Sequence, residues 1–330
     1  MPERTVFKVL IILKLFYIRH LMQPTFLFRN IQIFKNHLEN NMSDLSVGVY
    51  SFVSEWKKFD YPLDLWLKYN SEIFDEVALI TYGKEEIPYK AKNIIIEEVE
   101  PPKKDDFNFY RFGKKKAQDL LNTDWKILLD TDEFIKEIPN LENLNKKLTY
   151  ILKYRHLYGN LYTEIKGNKE FAYTSPRVHF GKRNIIGDGA VDGPYSIKIV
   201  GEFYHTNAVR NPTALSLKWK EQIQREINEK RFRTAKRLKY LEDTFDYSKY
   251  KEYWPGSYLI EIDKQKIPKI LIENSSRFSW YKFENLPKEN SLEDILKTLS
   301  YNLSYTHIKY IYSHIKYIIN RTFIYMKKSY

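Results

Sequence analysis

Trp125-Lys126-Ile127-Leu128-Leu129-Asp130-Thr131-Asp132-Glu133-Phe134 is a short apolar run that ends in carboxylates spaced one residue apart. Side chains alternate in direction along an extended chain, so Asp130 and Asp132 point the same way while Thr131 points away. Two like charges held this close repel each other and are costly to desolvate. The pattern makes sense if a divalent cation or a polycationic neighbour compensates them. An acidic turn closing a strand is the plain structural alternative, and the flanking sequence has to decide.

Upstream, apolar runs alternate with helical patterns. Val47 to Val53 reads as a strand, Pro62 to Asn70 as a helix with Leu63, Leu65, Trp66 and Leu67 near its buried side, and Val77 to Thr81 as a second strand halted at Gly83. Asn93 to Val99 makes a third strand, ended by Pro101-Pro102, and Arg111 to Leu121 a helix leading to the fourth strand, Lys126 to Leu129. Such alternation predicts an α/β fold with a mostly parallel, Rossmann-like sheet. Ligands of such sheets bind beyond the carboxyl ends of the strands, which is where Asp130 and Asp132 fall. Downstream, Tyr150 to Ile165 and Phe171 to His179 read as strands, followed by the loop Ile186-Gly187-Asp188-Gly189-Ala190-Val191-Asp192-Gly193-Pro194. Glycine is scarce, 11 in all, so three of them in this loop mark a place for close approach or movement. Ser196 to Gly201 is then a strand, Ala214 to Leu241 a helix with a basic segment from Lys230 to Lys239, and Tyr258 to Ile262 and Lys269 to Glu273 two further strands.

With 330 residues, 43% hydrophobic and 16% aromatic, the chain can bury a large core. It has no cysteine, which excludes disulfides, zinc–thiolate sites and thiol nucleophiles, so any catalysis uses oxygen and nitrogen groups. Lys+Arg 54 against Asp+Glu 42 leaves +12, a surface that attracts phosphates on nucleic acid, anionic lipid or a nucleotide-linked substrate. The apolar stretch Val6 to Met22 is interrupted by Lys8, Lys14 and Arg19, too charged to span a bilayer, and it lacks a small-residue cleavage site. Its pattern fits a helix lying in a membrane interface or one packed on the protein's own core. Ile308, Ile311, Ile315 and Ile318, interleaved with Lys309, Lys316 and Arg321, repeat the theme. The expected location is cytoplasmic, with peripheral membrane contact through these basic termini.

The order of elements, with Phe109-Tyr110-Arg111-Phe112-Gly113 and Ala117 ahead of Asp124-Trp125 and Asp130-Thr131-Asp132-Glu133, resembles glycosyltransferase family 2, of the A-type fold, over Val47 to Pro212. The resemblance implies a catalytic domain over 43–212, an N-terminal basic segment over 1–42 and a helical or mixed extension over 213–330. It implies that Asp130 and Asp132 bind Mn²⁺ or Mg²⁺, that His205 completes the metal shell, and that the metal holds the diphosphate of a nucleotide-sugar donor. It implies a base near the acceptor face, for which Asp192 aligns best and Asp188 second, where many relatives have His-Glu or Glu-Asp in place of Val191-Asp192. Donor contacts fall to Tyr50, Ser51, Phe52 and Glu55 after the first strand, to Tyr82 after the second, and to Arg111 and Lys115, while Arg177, Arg210 and Lys218 close over the diphosphate from the later segment. Tyr50 and Phe52 read equally well as core, each aspartate as support for a glycine turn, and His205 as a hydrogen-bonded structural histidine.

The leading expectation is therefore an inverting, metal-dependent transferase that moves a sugar, of hexosyl type, from a nucleotide donor to a hydroxyl of a glycan, lipid or protein acceptor. Metal-dependent phosphoryl transfer or nuclease chemistry also uses paired carboxylates, but it needs more acids than the neighbouring Glu133. A non-catalytic protein binding nucleic acid or a membrane surface through Lys230 to Lys239 is the third alternative; no nucleic-acid motif supports it.

Overall fold

A computed structural model describes residues 45–83, 85–100, 108–167, 174–186, 190–228 and 242–287. The amphipathic termini, Asp188 and the basic segment Lys230 to Lys239 lie outside the described residues. From Ser46 onward the described chain belongs to one compact unit.

Its centre is β1, Val47–Ser54, whose residues are buried up to Val53 because the strand has neighbours on both edges and cover on both faces. β2 (Glu76–Tyr82), β3 (Ile94–Glu98) and β4 (Trp125–Leu128) join it in parallel, in the order β3-β2-β1-β4. Helix α1 (Leu63–Ile73) connects β1 to β2, and α2 (Asn108–Leu120) connects β3 to β4. This is the alternation read from the sequence.

Beyond β4 the sheet is no longer parallel. β8 (Thr174–Phe180) runs antiparallel to β4 and to β6 (Thr149–Tyr158). β7 (Asn160–Lys166) pairs antiparallel with β6 and with β12 (Tyr258–Glu261). β11, Tyr195–Ala208, runs parallel to β6, and the short β5, Glu133–Ile135, lies antiparallel to β11. The expectation of a mostly parallel sheet is thus corrected to a mixed α/β sheet of ten strands. One reversal has a local cause: Gly159, at φ +71°, lets the chain turn back between β6 and β7, making Tyr150 to Ile165 a hairpin. β9 (Ile185–Ile186) and β10 (Ala190–Val191) form a separate small hairpin.

The sheet continues past residue 212. β12 extends it, and helix α3, Pro212–Asn228, shares with β6 and β7 a cluster containing Tyr158, Ile165, Leu215, Phe245 and Trp254. Two short helices follow, α4 (Tyr250–Tyr253) and α5 (Lys269–Glu273). The strand expected over Lys269 to Glu273 is helical. Pro268 at its N-cap fixes the entry, and a five-residue apolar run carries no period able to separate helix from strand. Among the described residues no helix is long and apolar enough to cross a membrane.

Helix α2 comes close to β1 at Gly113, where an added Cβ would collide with the Phe52 ring. Alanine normally favours a helix interior over glycine by about 1 kcal/mol. Here overpacking reverses the sign: Gly113→Ala should lower stability by about 1–3 kcal/mol in urea unfolding, and Phe52→Leu in the same chain should recover part of the loss.

Candidate functional site

The carboxyl edge of β4 leads into a tight turn in which the Asp130 N–H donates to Glu133 Oε2 at 2.7 Å and the Glu133 N–H donates to Asp130 O at 2.9 Å. The two aspartates of the motif then separate in character. Asp130 is about one-third exposed, and the buried Lys114 ammonium of α2 lies 2.5 Å from its Oδ1. Asp132 is buried.

Two features of the fold supply the partners of Asp132. The antiparallel register of β5 and β11 sets His205 opposite Glu133, and Thr206 then donates to Asp132 O through both its N–H, at 2.8 Å, and its hydroxyl, at 3.0 Å. The turn after β11 delivers Arg210, whose Nη2 donates to Asp132 Oδ2 at 2.7 Å while Nη1 donates to Phe59 O at 2.7 Å. Asn211 caps α3, its Oδ1 accepting from the Thr213 N–H at 2.9 Å, and Pro212 opens the helix. Lys218 of α3 thereby reaches Asp132 Oδ2 at 3.2 Å and Asn207 Oδ1 at 2.7 Å. Tyr61 lies under both cations, its ring centre 4.5 Å from each.

Burial works to raise the Asp132 pKa, but Lys218, His205 and Arg210 outweigh it and hold the carboxyl well below the usual carboxylate range. Burial and the Arg210 charge pull Lys218 down to about 8 against the opposing pull of Asp132. Beneath them, Glu133 Oε1 accepts from Arg177 Nη2 at 3.0 Å, and both side chains are almost fully buried. Burial pushes the Glu133 carboxyl up, with Arg177 resisting. Three carboxylates (Asp130, Asp132, Glu133) thus meet four cations (Lys114, Arg177, Arg210, Lys218), which leaves one positive charge in excess.

The second oxygen of Asp132 faces another kind of group. His205 Nε2 stands 3.5 Å from Asp132 Oδ1, too far for a good hydrogen bond, and its Nδ1 is 3.3 Å from His156 Nδ1 on β6. Burial, with the neighbouring His205, pushes the His156 pKa well below the usual value. Two ligands at right angles around a small divalent cation lie about 3 Å apart, so a carboxylate oxygen and an imidazole nitrogen at this spacing fit Mn²⁺ or Mg²⁺ after a slight closure. Among the described residues no three His, Asp or Glu side chains converge as a complete cage. Mg²⁺-type sites commonly use one or two carboxylates and take the rest of the shell from water and substrate phosphates.

Several residues expected at the donor edge lie elsewhere. Tyr50, Ser51 and Phe52 are inside β1. The Tyr50 hydroxyl bonds with His179 Nε2 at 3.0 Å and accepts from Gln118, and Phe52 packs edge-on against Phe109 and Tyr110. A side chain without exposed surface cannot stack on a base, so Tyr50 and Phe52 are corrected from donor contacts to core, and Ser51 is likewise enclosed. Tyr82, at the end of β2, is half-buried against Phe109, and Glu55 is half-exposed beside Lys58, 3.1 Å away. Arg111 donates from Nε to Ile185 O at 3.0 Å, tying α2 to the β9–β10 hairpin. Arg177 is corrected from a phosphate contact to the buried partner of Glu133. Asp192 is exposed just after β10 and accepts the Gly193 N–H at 2.9 Å; it is not among the ion pairs around Asp132.

Lys114, His156, Tyr61 and the Glu133–Arg177 pair escaped the sequence reading. Lys114 had one usable signal: it falls three residues before Ala117 on the apolar face of α2, where a lysine needs an acidic partner.

No protein-family model matches the chain, and no curated protein matches it.

Removing one member of a buried pair strands the other. Arg177→Met should cost about 3–5 kcal/mol in urea unfolding, with Glu133→Gln in the same chain restoring much of it. Lys218 keeps its charge at neutral pH and loses it as pH rises through about 8. From there to the ordinary lysine value of 10.5 the unfolded chain holds a proton that the folded protein has released, so this group alone makes stability rise with pH across the window. NMR of ¹³C-lysine-labelled protein should show a side chain titrating near pH 8 that disappears in Lys218→Met.

Proposed function

We propose that the protein is an A-type, family 2-like glycosyltransferase that moves a sugar from a nucleotide-sugar donor to an acceptor hydroxyl with inversion, at the carboxyl edge of β4. One observation carries the reading: Asp132 offers one oxygen toward His205 while Arg210 and Lys218 bracket the other, at the edge of the parallel strands β3-β2-β1-β4. Such sheets take their ligands there.

Asp132 Oδ1 and His205 Nε2 would hold Mn²⁺ or Mg²⁺, and Asp130 would join them on release from Lys114. When bound, the ion supplies positive charge for the departing diphosphate. The chain's own part can be followed without it. Lys218 and Arg210 already sit on a buried anion, and the excess positive charge of the cluster favours a second one, the donor diphosphate. Lys218, 3.2 Å from Asp132 and 2.7 Å from Asn207 Oδ1, is the cation whose flexible stem lets it turn toward phosphate, while Arg210 stays anchored on Phe59 O. Glu133 and Arg177 fix the turn that presents Asp130 and Asp132. The acceptor hydroxyl gives its proton to a carboxylate as it attacks the anomeric carbon, and Asp192 is assigned that role, with Asp188 as second choice. Its exposure beside the β9–β10 hairpin suits an acceptor entering from solvent, whether glycan, lipid or protein. Phosphoryl transfer has less support, because the additional acid it needs, Glu133, is committed to Arg177.

A thermal-shift panel of nucleotide-sugars with and without Mn²⁺ tests this directly. A donor held at 100 times its Kd should add about 2.7 kcal/mol of apparent stability. Asp132→Asn should abolish the Mn²⁺-dependent part. Asp192→Ala should keep the shift and reduce transfer by about 10²–10⁴-fold; full transfer by Asp192→Ala would remove the base from Asp192.

A further inference from the structure

We infer that His156 is a positioning residue that sets which nitrogen of His205 carries its proton, so that Nε2 of His205 can present a lone pair to a divalent cation beside Asp132. The inference rests on the metal-dependent reading above and adds to it a residue that does not touch the ion.

Strand register brings the two rings together. On the parallel strands β6 and β11, His156 and His205 are direct partners, and their Nδ1 atoms face each other at 3.3 Å. Neighbours hold the rings in place: Tyr154 stacks on His156 with centroids 5.0 Å apart and meets His205 edge-on at 6.0 Å. Two nitrogens at this distance attract only if one bears hydrogen and the other a lone pair. Two N–H groups, or two lone pairs, would repel. The contact therefore permits two arrangements of neutral rings.

In the first, His156 Nδ1–H donates to His205 Nδ1, and His205 carries its proton on Nε2, directed at Asp132 Oδ1 3.5 Å away. This suits the ion-free protein, because a hydrogen lies between the imidazole and the carboxylate. In the second, His205 Nδ1–H donates to His156 Nδ1, the His156 proton moves to Nε2, and His205 Nε2 is a bare lone pair facing a carboxylate. That juxtaposition repels unless a cation stands between the two. The exchange conserves protons: His205 Nε2 loses one, His156 Nε2 gains one, and the shared hydrogen crosses between the Nδ1 atoms. A metal-binding histidine generally has its tautomer fixed by the partner of its other nitrogen. Here that partner is a second imidazole, which can act as donor or acceptor and so serves both states.

Long-range ¹H–¹⁵N spectra of ¹⁵N-histidine-labelled full-length protein read both rings, with Cd²⁺ as a diamagnetic probe and Mn²⁺ affinity measured in parallel by EPR. Without metal the spectra should show Nδ1–H on His156 and Nε2–H on His205. With Cd²⁺ the pattern should reverse, His205 binding through Nε2. His156→Phe should weaken Mn²⁺ binding by about 10–100-fold, whereas His156→Asn, whose amide oxygen can accept from His205 Nδ1, should recover most of it. Equal Mn²⁺ affinity in His156→Phe and the unaltered protein, or Nε2–H on both rings with and without Cd²⁺, overturns the inference. If His156→Phe does not fold, the spectra of the unaltered protein still decide. Failure of the unaltered protein to bind either ion instead overturns the metal-dependent reading itself, and the exchange with it.

Discussion

Asp132 is a carboxylate almost wholly removed from water, and the arrangement around it is what makes that tolerable. An isolated buried carboxylate would take up a proton. Arg210, Lys218 and His205 keep this one ionised, and each is delivered by chain some 70 to 90 residues downstream of it. Folding of the β4 edge and folding of the β11–α3 segment are therefore coupled through one charge. That coupling gives a physical reason why the chain past residue 212 is integrated with the sheet: the cap at Asn211 and the start of α3 determine where Lys218 stands.

The same segment divides the carboxylate into two working sides. Oδ2 is saturated by cations of the protein, and Oδ1 faces an imidazole at a spacing too long for a strong hydrogen bond. Below, Glu133 and Arg177 form a second, closed pair that holds the turn rigid, so loose contacts above rest on tight ones beneath.

The first half of the fold was legible because its signals are local. β1, β2 and β4 are buried strands and β3 a half-buried one at the sheet's edge, their apolar runs end at turn residues, and helices α1 and α2 carry clear periodicity. The antiparallel half was less so: whether a strand after β4 enters parallel or antiparallel depends on long-range pairing, and only Gly159 marked the β6–β7 reversal. Alternation along β1 sends Tyr50 and Phe52 into the α2 interface, and no local pattern states which face that helix will cover. Asp132 and His205 could be linked from sequence only through a resemblance, whereas the structure links them through the β5–β11 register. His156 had no signal at all. Its meaning comes from lying opposite His205 on a neighbouring strand, a relation fixed by pairing between residues 49 positions apart.

The most direct test of a cation-assisted diphosphate site at Asp132 is a crystal structure with Mn²⁺ and a nucleoside diphosphate, with anomalous scattering used to locate the metal. The expected result is an anomalous peak bonded to Asp132 Oδ1, His205 Nε2 and diphosphate oxygens, with Lys218 turned toward the phosphates. A diphosphate and metal bound elsewhere, with Arg210 and Lys218 still closed on Asp132 and His205 making no contact to the ion, would contradict it.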